Sequence, residues 1–125
     1  MASPDSEYVG VGITIKTLGN GQCTVVNTIP GGSAHECGKI VGGDLLLGVY
    51  DKARAPDYIS TSGLDFNVIK SLIIGPKGSR ISLKLQHHSG SPKTGTYICE
   101  DLVREPLPSM PYERGMSPTI ALEVV

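Results

Sequence analysis

The sequence predicts a small α+β domain: a mostly antiparallel, partly closed β-sandwich or barrel of five to six strands, with one short and one longer helix. Three observations predict it. Short runs such as Ile13-Thr14-Ile15-Lys16 and Ile81 to Gln86 alternate apolar and polar residues, the period of a half-buried strand. A single segment, residues 65–75, repeats its apolar residues at helical spacing. Glycine (16) and proline (9) are abundant and tryptophan is absent, as expected of short strands joined by many turns.

Taken in order, residues 1–7 (MASPDSE) are small and polar and read as a flexible lead-in. Ile13 to Lys16 reads as a strand, Asn20-Gly21 as its hairpin turn, and residues 23–29 as the returning strand. Residues 30–38 (PGGSAHECG) read as a turn, a Ser33 cap and a one-turn helix stopped by Gly38. Residues 42–51 form a turn into a buried strand, and 52–63 a loop with one short strand. The long helix is capped by Asp65, ended by Gly75-Pro76, and carries Phe66, Ile69, Leu72 and Ile73 on its apolar face. Arg80 to Gln86 is a strand and Thr96 to Arg104 a last one. Beyond Glu105 prolines replace periodicity, so residues 8–105 read as the domain and 106–125 as a tail or linker.

Composition narrows the function. With 125 residues and 39 % hydrophobic content the chain fills one modest core. A net charge of −1 argues against a phosphate-backbone partner, so no nucleic acid is expected. No apolar run reaches membrane-span length and no signal-peptide pattern opens the chain, which predicts a cytoplasmic protein without direct membrane insertion. Cys23, Cys37 and Cys99 lack metal-ligand spacing and read as reduced thiols. No cofactor is expected.

Several motifs fail on inspection. The glycine pair in YVGVGITI lacks the third glycine and the helix that a dinucleotide loop needs. LIIGPKGSRI (72–81) imitates the clamp loop of KH domains, but the residues after it alternate as a strand. No Gly-x-Ser-x-Gly elbow exists. His35, His87 and His88 fall in or beside turns and read as solvated, while Asp44, Asp51 and Asp57 read as loop or cap acids. Nothing here reads as an enzyme.

A carboxylate fits the opening better. Successive backbone N–H groups in a glycine-relieved turn hold a peptide C-terminus while the rest of the peptide pairs with a strand edge. Gly10, Val11, Gly12 and Ile13 supply such a turn, with donors expected from Val11, Gly12 and Ile13, and Thr14, Ile15 and Lys16 continue as the receiving strand.

At these residues the chain resembles PDZ domains. GVGI (10–13) is similar to their Gly-φ-Gly-φ loop, residues 25–49 to their central stretch, and 64–85 to their ligand-flanking helix and following strand. With only a short lead-in before the loop and an extra strand at 96–104, the form is closest to the permuted PDZ domains of carboxy-terminal processing proteases. The resemblance implies a peptide-binding interaction module of the scaffold or signalling kind. Its partners would be C-terminal peptides with an apolar last residue, seated between strand 13–16 and helix 65–74. The alternative it implies is a regulatory, substrate-tethering domain of a larger processing protease.

The resemblance also implies roles for single residues. Phe66 would face the ligand side chain two positions before its end and favour an apolar residue there. Lys70, one turn later, would recruit an acid. Val11, Ile13 and Ile73 would line the pocket of the terminal side chain, with Ile69 and Leu72 facing the core. Finally, the chain's own end, ALEVV, has an apolar Val125 and is readable both as a ligand for this groove and as ordinary linker.

Overall fold

The computed structural model describes residues 8–90, 92, 94–106 and 123–125. The chain runs β1 (Tyr8–Val9), β2 (Ile13–Thr17), β3 (Cys23–Thr28), α1 (Ser33–Cys37), β4 (Leu45–Tyr50), β5 (Ile59–Ser60), α2 (Phe66–Ile73), β6 (Gly75–Pro76), β7 (Arg80–Gln86), β8 (Thr96–Val103) and β9 (Glu123–Val124). The main sheet is antiparallel, in the order β8-β7-β4-β3-β2-β9, with β5 on β4 and a separate β1–β6 pair. The α+β class is therefore as the periodicity predicts.

The expected partial closure is not found. β8 and β9 end the sheet on opposite sides. They do not pair with each other, so the sheet stays open with β8 and β9 as its edges.

Local chemistry accounts for the elements. In the β2–β3 hairpin Gly21 adopts φ +86°, and the Leu18 amide donates to the Gln22 carbonyl at 2.7 Å. Gly38 stops α1 in the left-handed region at φ +75°. Asp65 caps α2 by accepting from the Asn67 amide at 3.0 Å. One side of the β2–β3 and β4–β7 sheet joins α2 in a single core that includes Ile13, Ile15, Val25, Leu46, Ile69, Ile73 and Leu83.

Four local expectations are corrected. Ser33 is not the cap of α1: Gly32 stands at that position, and the Ser33 hydroxyl donates to the Val103 carbonyl at 2.7 Å, tying α1 to β8. α2 ends at Ile73, because Ile74 is already extended and Gly75-Pro76 leaves to pair with Tyr8–Val9. His87 is not solvated, since its ring stacks on Tyr97 and its Nδ1 lies 3.2 Å from Asp44 Oδ2. Asp44 is no loose loop acid. It is fully buried and accepts from the Tyr97 hydroxyl at 2.6 Å and the His88 amide at 3.1 Å. Burial pushes its carboxyl up, but those hydrogen bonds and the neighbouring His87 outweigh burial and hold it below its ordinary value.

β8 runs beside β7 from Arg80↔Val103 to Gln86↔Thr96, with a bulge between Ile81 and Leu83. Opposite that bulge Asp101 takes φ +56°, and its amide donates to the Ser82 hydroxyl at 3.3 Å. Just beyond β8, Arg104 donates to the Ile73 carbonyl at the end of α2 and Glu105 to the Gly10 carbonyl in the loop after β1. That placement matters for the site.

Candidate functional site

Residues 10–13 form a loop whose peptide planes are fixed from outside. The Gly10 carbonyl accepts from the Glu105 amide at 3.2 Å, the Val11 carbonyl from Ala34 at 3.0 Å, and the Gly12 carbonyl from Ile29 at 2.8 Å. Each peptide is trans, so a carbonyl held outward turns the following N–H inward. Two of the three expected donors, those of Gly12 and Ile13, take a common acceptor. Gly12 makes the turn possible with φ +81°.

The group facing these donors is the end of the same chain. The Val125 carboxyl oxygen accepts from the Gly12 amide at 2.9 Å and the Ile13 amide at 2.8 Å, while the Val125 amide donates to the Ile13 carbonyl at 2.7 Å. Among the described residues, the donors to that oxygen are Gly12 and Ile13, two of the three expected. β9 continues the contact as an antiparallel neighbour of β2, with Val124 opposite Thr14 and Glu123 opposite Ile15. The last residues of the segment read as a tail thus lie in the sheet. Gly10 has its own reason to be glycine, because a Cβ there would overlap the carboxyl carbon of Val125.

Val125 is 2 % exposed and belongs to the core cluster together with Val11, Ile13 and Ile73, each at most 1 % exposed. Ile69 is as deeply buried as Ile73, whereas Leu72 is only half-buried. Phe66 opens α2 and is half-buried against the core, and Lys70 is half-buried one turn later. Of the receiving strand, Thr14 and Ile15 are buried and Lys16 is exposed.

The far end of α2 is held by two arginines that sequence reasoning passed over. Arg104, fully buried, donates from Nε to the Ile73 carbonyl at 2.8 Å and from Nη2 to the Leu72 carbonyl at 3.2 Å. Arg54 donates to the Ser71 carbonyl and, at 2.9 Å, to the Ile74 carbonyl. Asp51 pairs with Arg104 at 3.0 Å. Burial pushes the Arg104 guanidinium below its ordinary value, and the Asp51 carboxylate opposes that shift. In the sequence these residues look like a strand end and two loop charges. The one available signal was an arginine closing an apolar strand, TYICEDLVR, where a solvated end needs no charge.

Two thiols meet between α1 and β8: the Cys37 Sγ donates to the Cys99 Sγ at 2.9 Å. Burial pushes the Cys99 thiol up to about 12 and that of Cys23 to about 11. The described residues hold no cluster of His, Cys, Asp and Glu arranged for a metal ion.

The fold that carries these residues is that of known structures. The PDZ domain of a carboxy-terminal protease from Vibrio cholerae, solved in complex with a peptide, superposes with a TM-score of 0.63. It is 22 % identical, over 79 % of this chain and 96 % of that one. The fold is that of a PDZ domain. The photosystem II D1 C-terminal processing protease superposes with a TM-score of 0.64 at 22 % identity, over 87 % of this chain. The present chain spans only 25 % of that protease. No family model matches, and no curated protein matches. Within this PDZ fold β8 lies beside β7, and no described helix is long and apolar enough to cross a membrane.

Proposed function

We propose that this PDZ-fold chain is a non-catalytic interaction module that binds the C-terminal segments of other proteins by adding them as a strand to β2. The observation that carries this reading is the seat of Val125, whose carboxyl oxygen takes the Gly12 and Ile13 amides while its own amide returns to Ile13. A free peptide terminus presents the same acceptor oxygen and the same amide donor. The strand-by-strand register of β9 on β2 supplies the template for the residues before it.

The ligand's last side chain enters the pocket of Val11, Ile13 and Ile73 and is therefore apolar. Phe66 offers apolar surface to the residue two positions before the end, and Lys70 favours an acid near it. The segment ending in Val125 would be one such ligand, with Glu123 two positions before Val125 and paired with Ile15 in the β9–β2 register. An ion pair at such a rim adds only about 0.2–1 kcal/mol, enough to bias choice without driving binding. Partner peptides then compete with the chain's own end, which is present at the high effective concentration of a tethered ligand.

The test is calorimetric titration of a free Ala-Leu-Glu-Val-Val peptide into the 125-residue chain and into the same chain lacking residues 123–125. The expected result is binding to both, tighter by about tenfold or more in the shortened chain. No binding to the shortened chain would reject the peptide-binding reading.

One observation favours a second reading. β8 occupies the sheet edge beside β7, and the superposed structures come from a carboxy-terminal protease and a C-terminal processing protease. A substrate-tethering domain of such a protease would use the same groove. A longer transcript that joins these residues to a serine/lysine catalytic domain would decide for it.

A further inference from the structure

We infer that Arg54 and Arg104 are positioning residues of the groove: together they clamp the end of α2 and so set the size of terminal side chain that the groove accepts. The inference rests on the peptide-binding reading and adds to it a determinant outside the groove.

α2 has eight residues. A helix so short does not persist by its own hydrogen bonds, and its last four carbonyls have no partner within it. The Ile74 amide bonds the Lys70 carbonyl, so the unpartnered four are those of Ser71, Leu72, Ile73 and Ile74. Arg54 takes the first and the last of these, and Arg104 takes the middle two. Every orphan carbonyl of the helix end is bonded to one of two guanidiniums. Lysine cannot substitute, because a point ammonium lacks the planar fork that bridges two carbonyls.

The clamp is referenced to the sheet. Asp51 directly follows β4, and its Oδ2 lies 3.0 Å from Arg104 Nη1 and 3.6 Å from Arg54 Nε. Asp51 is itself fixed, its Oδ1 accepting from Ala53 at 3.0 Å and its carbonyl from the Arg54 amide at 2.8 Å. Arg104 directly follows β8, its amide donates to the Ser79 carbonyl at 2.8 Å, and its Nη1 donates to the Ser79 hydroxyl at 2.9 Å. Gly75 leaves the room, since a Cβ there would overlap the Arg104 guanidinium carbon. The next residue, Glu105, donates to Gly10 in the carboxylate loop. Helix wall and loop are thus located by two consecutive residues.

Ile73 joins this clamp to specificity. Arg104 holds its carbonyl, and its side chain is fully buried in the same cluster as Val125. A terminal residue larger than valine has to push the end of α2 outward, against four charge-assisted hydrogen bonds. Loosening the clamp therefore lowers the penalty on a large residue more than it weakens binding of a small one.

The experiment measures apparent affinities of the full 125-residue chain for Ala-Leu-Glu-Val-Val and for the same peptide ending in Phe. Competition from the chain's own end divides both by one factor, so their ratio is free of it. Arg54→Met and Arg104→Lys are compared with the parent. Arg54 has a side chain 32 % exposed, so Arg54→Met tests the clamp even where Arg104→Lys fails to fold. The expected result is a Val-over-Phe preference reduced about threefold or more in every variant that folds. A parent-like preference in Arg54→Met would overturn the inference whatever happens to melting temperature, since a merely structural role moves stability and leaves the preference alone. Absence of binding of either peptide to the chain lacking residues 123–125 would instead reject the peptide-binding reading, and the clamp's role with it.

Discussion

Gly10 and Val125 meet backbone to backbone, with no space at position 10 for even a methyl group beside the terminal carboxyl. The loop is shaped around a chain end as well as being able to turn. Gly10→Ala is therefore expected to leave the fold intact and expel the terminus. Free-peptide affinity falls by about tenfold or more, and the Val125 methyl resonances move to their unstructured positions. Unchanged affinity in a folded Gly10→Ala chain would show that the carboxylate sits elsewhere.

Phe66 begins α2 and is only half-buried, so it is expected to set preference more than stability. Phe66→His shifts selection toward Thr or Ser two residues before the ligand's end, with little change in melting temperature. A peptide-library screen on the two proteins checks this. An unfolded variant would make Phe66 a core residue.

Removing everything after Gln86 strips β8, including buried Leu102 and Cys99, and with it the Arg104 clamp. Each large side chain that was fully buried contributes about 1.5–3 kcal/mol, and Asp51 loses its closer partner, Arg104. The shortened chain is expected to melt far below the full one. Equal melting temperatures would contradict the place of β8 in the domain.

Two buried thiols and one buried acid set the pH limits. The unfolded state releases thiol protons near pH 8.5, whereas Cys23 and Cys99 hold theirs to about 11 and about 12. Across that window the folded state binds more protons, so stability present below pH ~8.5 is lost as pH rises. Asp44 acts in the opposite sense: its depressed value gives stability above the unfolded carboxyl's pKa that is lost in acid. Denaturant midpoints measured against pH are expected to fall on both sides, and Asp44→Asn flattens the acid side.

Much of this fold was legible because the signals are local. Asn20-Gly21, Asp65 and Gly38 each act within a few residues, and the alternating runs mark β2 and β7. The GVGI loop was legible for the same reason, since glycines at Gly10 and Gly12 answer a backbone demand. What escaped depends on distant partners. Ser33 was read as a cap because its spacing allows one, but Val103 competes for its hydroxyl from 70 residues away. Arg104 reads as a strand end until the carbonyls of α2 are placed beside it. His87 reads as solvated until Tyr97 stacks on it. The placement of Val125 against Gly12 was legible only as one of two readings, because an apolar last residue looks the same in a ligand and in a linker.

Carboxylate recognition by the loop at residues 10–13 is tested by changing the charge of the peptide end alone. The most direct measurement compares Ala-Leu-Glu-Val-Val as free acid and as C-terminal amide, titrated into the chain lacking residues 123–125. Amidation removes the charge from an acceptor that faces the Gly12 and Ile13 amides, costing about 1.5–3 kcal/mol, so the acid is expected to bind roughly ten- to a hundredfold more tightly. Equal affinity of the two forms would contradict it.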